Sequence, residues 1–136
     1  MITFVLDSSA ALRYVDDGAG ADRVEEILSA CASCQAEISI SAVQWGEIAG
    51  KLRKRFGVSD ETRILSGLLP SEAKIVPATA DRAVRAAALK VDRSLAYADG
   101  FAIELAMDSI DHILVTADYG FKTVDDLARI EFLPSK

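Results

Sequence analysis

Four carboxylates occupy positions from which they could act together. Asp7 ends an apolar run over residues 2–6 and is followed by two hydroxyls, Ser8 and Ser9. Asp118 lies just past a second apolar run, His112–Thr116. Asp99 falls in the first turn of a helical pattern shortly before that second run, and Glu47 in the second turn of another. Convergent carboxylates repel, so one of them should keep its proton unless a cation intervenes. Hard oxygen donors without a cysteine or second histidine select Mg²⁺ or Mn²⁺. Such ions suit phosphodiester cleavage, where they polarise the phosphoryl oxygen, activate water and steady the leaving oxygen. Each acid also has a plainer explanation. Asp7 and Asp118 could cap the helices that follow them, Asp99 could favour a helix amino end, and Glu47 could pair with Lys51 four residues on.

The elements that would bring these acids together are legible as periodic patterns. The run over residues 2–6 is apolar on both sides, as a central parallel strand must be when helices cover both sheet faces. Residues 8–14 read as a short helix broken by Asp16-Asp17-Gly18, and Ala21–Ala32 as an amphipathic helix burying Val24, Ile27 and Leu28. Residues 36–40 alternate like a strand. Ser41-Ala42-Val43-Gln44 then fits a capping box opening a helix to about Phe56, with the stripe Trp45, Ile48, Ala49, Leu52 and Phe56. Ser59 is placed to cap a helix reaching Leu69. Lys74–Val76 is a short strand, and Thr79 caps an Ala-rich helix with the stripe Ala80, Ala83, Val84, Ala87, Ala88 and Val91. Ala98, Phe101, Ala102, Leu105 and Ala106 form the cleanest helical stripe. After the strand at His112–Thr116 come a short helical connection over residues 121–127 and an edge strand, Arg129–Phe132. Alternating strands and helices imply right-handed βαβ crossovers. The expected fold is a three-layer α/β/α sandwich around a mainly parallel sheet of about five strands. In such sheets ligands bind beyond the carboxyl ends of the strands, where strand order reverses. Asp7 and Asp118 reach that edge directly, and helix starts after parallel strands lie there too.

Composition narrows the field. A chain of 136 residues, half of them hydrophobic, can bury one core, so one domain over residues 1–136 is expected. No apolar stretch nears the roughly 20 residues that span a bilayer, and Asp7 interrupts what would be a leader. A cytoplasmic protein without a membrane segment is therefore expected. Cys31 and Cys34 lack the second pair or the histidines that zinc would want, and Cys31 falls on an apolar helical stripe. The lone His112 offers no nucleophilic triad. A net charge of −6 argues against nucleic-acid binding by bulk electrostatics, though carboxylates carrying divalent cations would turn an acidic pocket into an anion site.

Four segments in register carry a resemblance. Val5-Leu6-Asp7-Ser8-Ser9-Ala10, Ser41-Ala42-Val43-Gln44-Trp45-Gly46-Glu47, Tyr97-Ala98-Asp99-Gly100-Phe101-Ala102 and Leu114-Val115-Thr116-Ala117-Asp118-Tyr119-Gly120-Phe121 resemble the PIN-domain ribonucleases. The chain's length is similar to that of VapC-type toxins of toxin–antitoxin pairs. The resemblance implies Mg²⁺- or Mn²⁺-dependent cleavage of RNA, a homodimer, and inhibition by an antitoxin whose carboxyl-terminal segment occupies the groove. By motif, Asp7, Glu47, Asp99 and Asp118 become the acidic quartet, and Ser9 and Thr116 the hydroxyls supporting the first and fourth acids. Two positions depart from the family pattern. Gly100 replaces a larger helix former, at roughly 0.5–1 kcal/mol of helix stability, and Tyr119-Gly120 stands where a further acid or amide is common.

The basic residues Lys51, Arg53, Lys54 and Arg55, with Arg13, are candidates for RNA phosphate contacts; a solvated helix face is the competing explanation. Leu12, Tyr14 and Trp45 could form an apolar patch for an antitoxin helix, or ordinary core. Gly46 and Gly50 would let another backbone approach beside Glu47. Phosphoaspartyl-transfer hydrolases need a second Asp where Ser9 stands, and response-regulator receivers need paired acids and a late lysine. The remaining competitors are a PIN-like module that binds without cutting and an RNA-processing nuclease unrelated to a toxin pair.

Overall fold

Five parallel strands form the central sheet of the computed structural model, which describes residues 1–135, in the spatial order β3-β2-β1-β4-β5. They are β1 (Thr3–Leu6), β2 (Glu37–Ser41), β3 (Lys74–Val76), β4 (His112–Thr116) and β5 (Arg129–Phe132). Six helices connect them: α1 (Ser8–Val15), α2 (Ala21–Ala32), α3 (Ala42–Phe56), α4 (Val58–Leu68), α5 (Ala80–Arg93) and α6 (Tyr97–Ala106), with a 3-10 helix at Tyr119–Val124. The chain builds outward from β1 to β2 and β3, then crosses to β4 and β5. Strand order therefore reverses between β1 and β4, which pair in parallel with Leu6 opposite Val115. The crevice beyond their carboxyl ends is the switch point where such sheets bind ligands.

The pleat explains the three layers. On β1, Val5 points into a cluster with Leu114 and α6 (Ala102, Ile103, Leu105, Ala106), while Leu6 points to the other face, against Val24, Ile27, Leu28 and Cys31. A third cluster, Ile40, Ile48, Leu52 and Leu68, ties α3 and α4 to the second face. The expected α/β/α sandwich with a parallel sheet of five strands is what forms. Among the described residues no helix is long and apolar enough to cross a membrane.

Several local expectations need correction. The α4 helix starts at Val58 with Gly57 as its cap, at φ 90°, so Ser59 lies inside the helix rather than before it. Phe56 is 43 % exposed, because the last turn of α3 overhangs the α3–α4 corner. On α5 the face turned to α6 is centred on Ala86, with Ala83 and Leu89 beside it, because Arg82 and Arg85 must reach the buried Glu104 carboxylate. Val84 and Val91 are instead 71 % and 79 % exposed. Around Gly100 the two helices meet so closely that an added Cβ would lie 2.8 Å from the Ala86 carbonyl oxygen. The helix cost of Gly100 is thus the condition for α5 and α6 to touch. The helix α6 is buried on all sides from Gly100 to Ala106, including Glu104, whose carboxylate is held by Arg82 at 2.7 Å and Arg85 at 2.9 Å. A buried charge needs such partners, and no periodicity along α6 signals it.

Candidate active site

Asp7 is the best-anchored acid of the site. It is 2 % exposed and caps α1, its Oδ1 accepting the Ala10 N–H at 2.9 Å. Two hydroxyls also donate to it: Ser9 Oγ at 2.8 and 2.9 Å, and Thr116 Oγ1 at 2.6 Å from Oδ2. An ionised carboxylate only accepts, which sets their direction. Ala117 N–H donates to Ser9 Oγ and Asp118 N–H to Thr116 Oγ1, each at 2.9 Å, leaving both hydroxyl protons to the carboxylate. Both hydroxyls therefore face Asp7, and Asp118 is tied to Thr116 through its backbone. Burial outweighs these hydrogen bonds and lifts the Asp7 pKa from 3.8 to about 6, with a further push from the Asp118 charge.

Asp99 sits half-buried in the first turn of α6. Burial first, then the charges of Asp118, Asp7 and Glu47, raise its pKa to about 6, while Lys51 acts in the opposite sense. Four carboxylates far apart in sequence thus act on one another at the switch point of the sheet. Asp118 is exposed and caps the 3-10 helix, its Oδ1 accepting Gly120 N–H at 2.8 Å. Glu47 is half-buried, its Oε1 accepting from Ser8 Oγ at 3.3 Å; among the described ion pairs it has none with Lys51. The capping explanations for Asp7 and Asp118 are therefore correct, and compatible with a site.

The donor set fits a hard divalent cation: four carboxylates and no soft donor among them, two with pKa raised to about 6 by burial and by neighbouring acids that a cation would neutralise. Asp7, Glu47 and Asp118 accept from protein donors, whereas among the described residues the Asp99 carboxylate accepts from none. Among the described residues, no three histidine, cysteine, aspartate or glutamate side chains stand close enough together to hold a metal ion. A cation would have to draw Glu47 and Asp118 off Ser8 and Gly120.

Gln44 is the positioning residue that sequence reasoning missed. It does not close a capping box with Ser41, whose side chain caps α3 alone through Val43 N–H. Fully buried, Gln44 accepts the Ser8 N–H at 2.7 Å and donates to the Ala98 carbonyl at 2.7 Å. One amide so clamps the starts of α1 and α6, next to Asp7 and Asp99, onto the helix that carries Glu47. Its place one turn before Glu47 was the available signal.

The basic residues divide. Arg53 pairs with Glu61 and Arg55 with Asp16, each at 2.8 Å, so both brace the fold. Arg13 donates to the carbonyls of Ala19 and Pro134 at 2.7 and 2.8 Å, holding the α1–α2 turn to the final segment rather than facing solvent as a phosphate contact would. Lys51 and Lys54 are exposed and, among the described residues, enter no ion pair. Gly46 and Gly50 have nothing within 4 Å of an added Cβ: instead of a close backbone they leave open space beside Glu47. Leu12, Tyr14 and Trp45 are half-buried against the third core cluster. Cys31 is buried and Cys34 exposed, both as free thiols.

The PIN domain family model matches residues 4–127, and the chain belongs to that family. No curated protein matches it in sequence. Solved structures that share its fold include VapBC2 from Rickettsia felis bound to a promoter DNA fragment (TM-score 0.73, 16 % identity, 98 % of this chain and 100 % of that one). VapC20 from Mycobacterium tuberculosis, a sarcin-ricin loop cleaving toxin, superposes with TM-score 0.73 at 16 % identity, over 96 % of this chain and 99 % of that one. VapBC-1 from nontypeable Haemophilus influenzae gives 0.68 at 15 % identity, over 96 % and 98 %.

Proposed function

We propose that residues 1–136 form a Mg²⁺- or Mn²⁺-dependent endoribonuclease, the cytoplasmic toxin of a toxin–antitoxin pair. The observation that carries this is the join between the ends of β1 and β4 within the PIN match: Thr116 donates to Asp7 and accepts from the Asp118 backbone, at the switch point of the sheet. Those four residues would hold the cation, with Asp7 and Asp99 the firmest ligands. When bound, it supplies Lewis acidity and charge neutralisation to phosphodiester hydrolysis. The chain's own groups do the rest. Ser9 and Thr116 hold Asp7 in one orientation, and Gln44 keeps the Glu47 helix against the start of α6. Lys51 and Lys54 meet RNA phosphates beside the acids, and the space at Gly46 and Gly50 gives the strand room to pass.

Partnership with an antitoxin, and assembly as a homodimer, follow the family reading; the VapBC structures sharing the fold support the first. Leu12, Tyr14 and Trp45, half-buried between α1 and α3, edge the surface an antitoxin helix would cover. One observation favours a PIN-like module that binds RNA without cutting it: the spread of the carboxylates onto protein donors. Incubating the purified chain with RNA and Mg²⁺, beside an EDTA control and the Asp7→Asn variant, separates the two. Cleavage lost with EDTA and with the variant is expected; RNA bound but uncut by the wild-type chain would leave the binding module.

A further inference from the structure

Tyr119 follows Asp118 directly, 41 % exposed, yet its ring is fixed. Its hydroxyl donates to the Leu133 carbonyl at 2.8 Å. Leu133 in turn donates its N–H to the carbonyl of Thr116 at 2.8 Å, the residue whose hydroxyl holds Asp7. The ring meets Phe132 edge-on, with centroids 5.4 Å apart at 74°. The Lys122 ammonium stands 5.2 Å from the Tyr119 centroid and 5.8 Å from that of Phe132. An exposed tyrosine ordinarily gives up rotamer freedom when something stacks on it. Here the tether and the second ring have already taken that freedom away. Tyr97, similarly exposed beside Asp99, packs on Phe101 but has no cation next to it.

A tethered ring with an ammonium over it brings together the two groups by which proteins hold single-stranded nucleic acid, bases on aromatics and phosphates on cations. We propose that Tyr119 and Lys122 form a nucleotide subsite adjoining the acidic cluster. Lys122, which lies over the ring in the free chain, swings to a phosphate of the RNA strand as an unpaired neighbouring base takes its place on Tyr119. The subsite rests on the RNA-cleaving reading above and sharpens its substrate class. The nucleotide beside the scissile bond must be splayed out of any duplex, because a stacked and paired base cannot reach the ring.

The test measures fluorescence anisotropy of the full chain with Ca²⁺ in place of Mg²⁺, using a labelled oligouridylate of about ten nucleotides and the abasic strand of equal length. Tyr119→Ala should weaken oligouridylate binding about tenfold and leave the abasic strand unaffected, with Tyr119→Trp restoring affinity. Lys122→Gln should lower the salt dependence on both strands by about one phosphate contact. Equal loss on both strands, or a loss that tracks a fallen melting temperature, would mean that Tyr119 only braces the Leu133 segment and would overturn the subsite. So would unchanged affinity. Wild-type chain that binds oligouridylate with this base discrimination, yet cuts no RNA in Mg²⁺, would keep the subsite and remove the nuclease reading. No binding by the wild-type chain would remove both.

Discussion

A buried carboxyl group facing other carboxylates keeps its proton to higher pH, and that proton is a handle on the site. Asp7 and Asp99 titrate at about 6 in the folded chain against 3.8 in an exposed one. Between those values the folded chain holds protons the unfolded chain has released, so stability falls as pH rises through the window and the penalty is complete above it. Asp99→Asn removes one such charge. The variant should be more stable than wild type by roughly 1 kcal/mol at neutral pH, discounted for the solvent around Asp99. The advantage should vanish below about pH 4, as urea unfolding at the two pH values would show. Cleavage should be lost in the same protein. A variant less stable at neutral pH would mean that Asp99 is not under electrostatic strain.

Between elements, two contacts set where the acids lie. Gly100 lets α6 close on α5, and a methyl there would meet the Ala86 carbonyl, backbone that cannot move aside. Gly100→Ala gains up to about 1 kcal/mol of helix propensity but forces an overpacked contact costing about 1–3 kcal/mol. The expected result is a lower melting temperature, with cleavage reduced further than stability because Asp99 moves with the helix. Gln44→Leu strips the partners from the Ser8 N–H and the Ala98 carbonyl, each worth about 1–3 kcal/mol when buried and unsatisfied. Urea unfolding should register that loss, and calorimetric Mn²⁺ binding should weaken as Glu47 and Asp99 drift apart. Full Mn²⁺ affinity in Gln44→Leu would show that the clamp serves only the fold.

For the molecule as a whole, the proposed function requires an acidic chain with net charge −6 to attract its polyanion locally. On the helix that carries Glu47, Lys51 and Lys54 enter no ion pair among the described residues, whereas Arg53 and Arg55 are committed to Glu61 and Asp16. Lys51→Gln with Lys54→Gln should flatten the salt dependence of RNA binding by about one to two contacts. Arg53→Gln and Arg55→Gln should change it little and lower stability slightly, as exposed ion pairs do. Filter binding across a salt series distinguishes the two pairs.

How much of this was written in the chain follows from the range of the forces involved. Periodicity is local, so the apolar runs at β1 and β4, the stripes of α2 and α6 and the alternation into a parallel sheet were all legible, and with them the edge on which Asp7 and Asp118 stand. The stripe on α5 misled because its partner decided which side turned inward: Gly100 admits Ala86, and buried Glu104 draws in Arg82 and Arg85. Gln44, Glu104 and Arg13 took their roles from residues 36, 22 and 121 positions away. Which polar group meets which across such gaps is settled only when the sheet closes, because a buried donor must take the nearest acceptor the packed elements present.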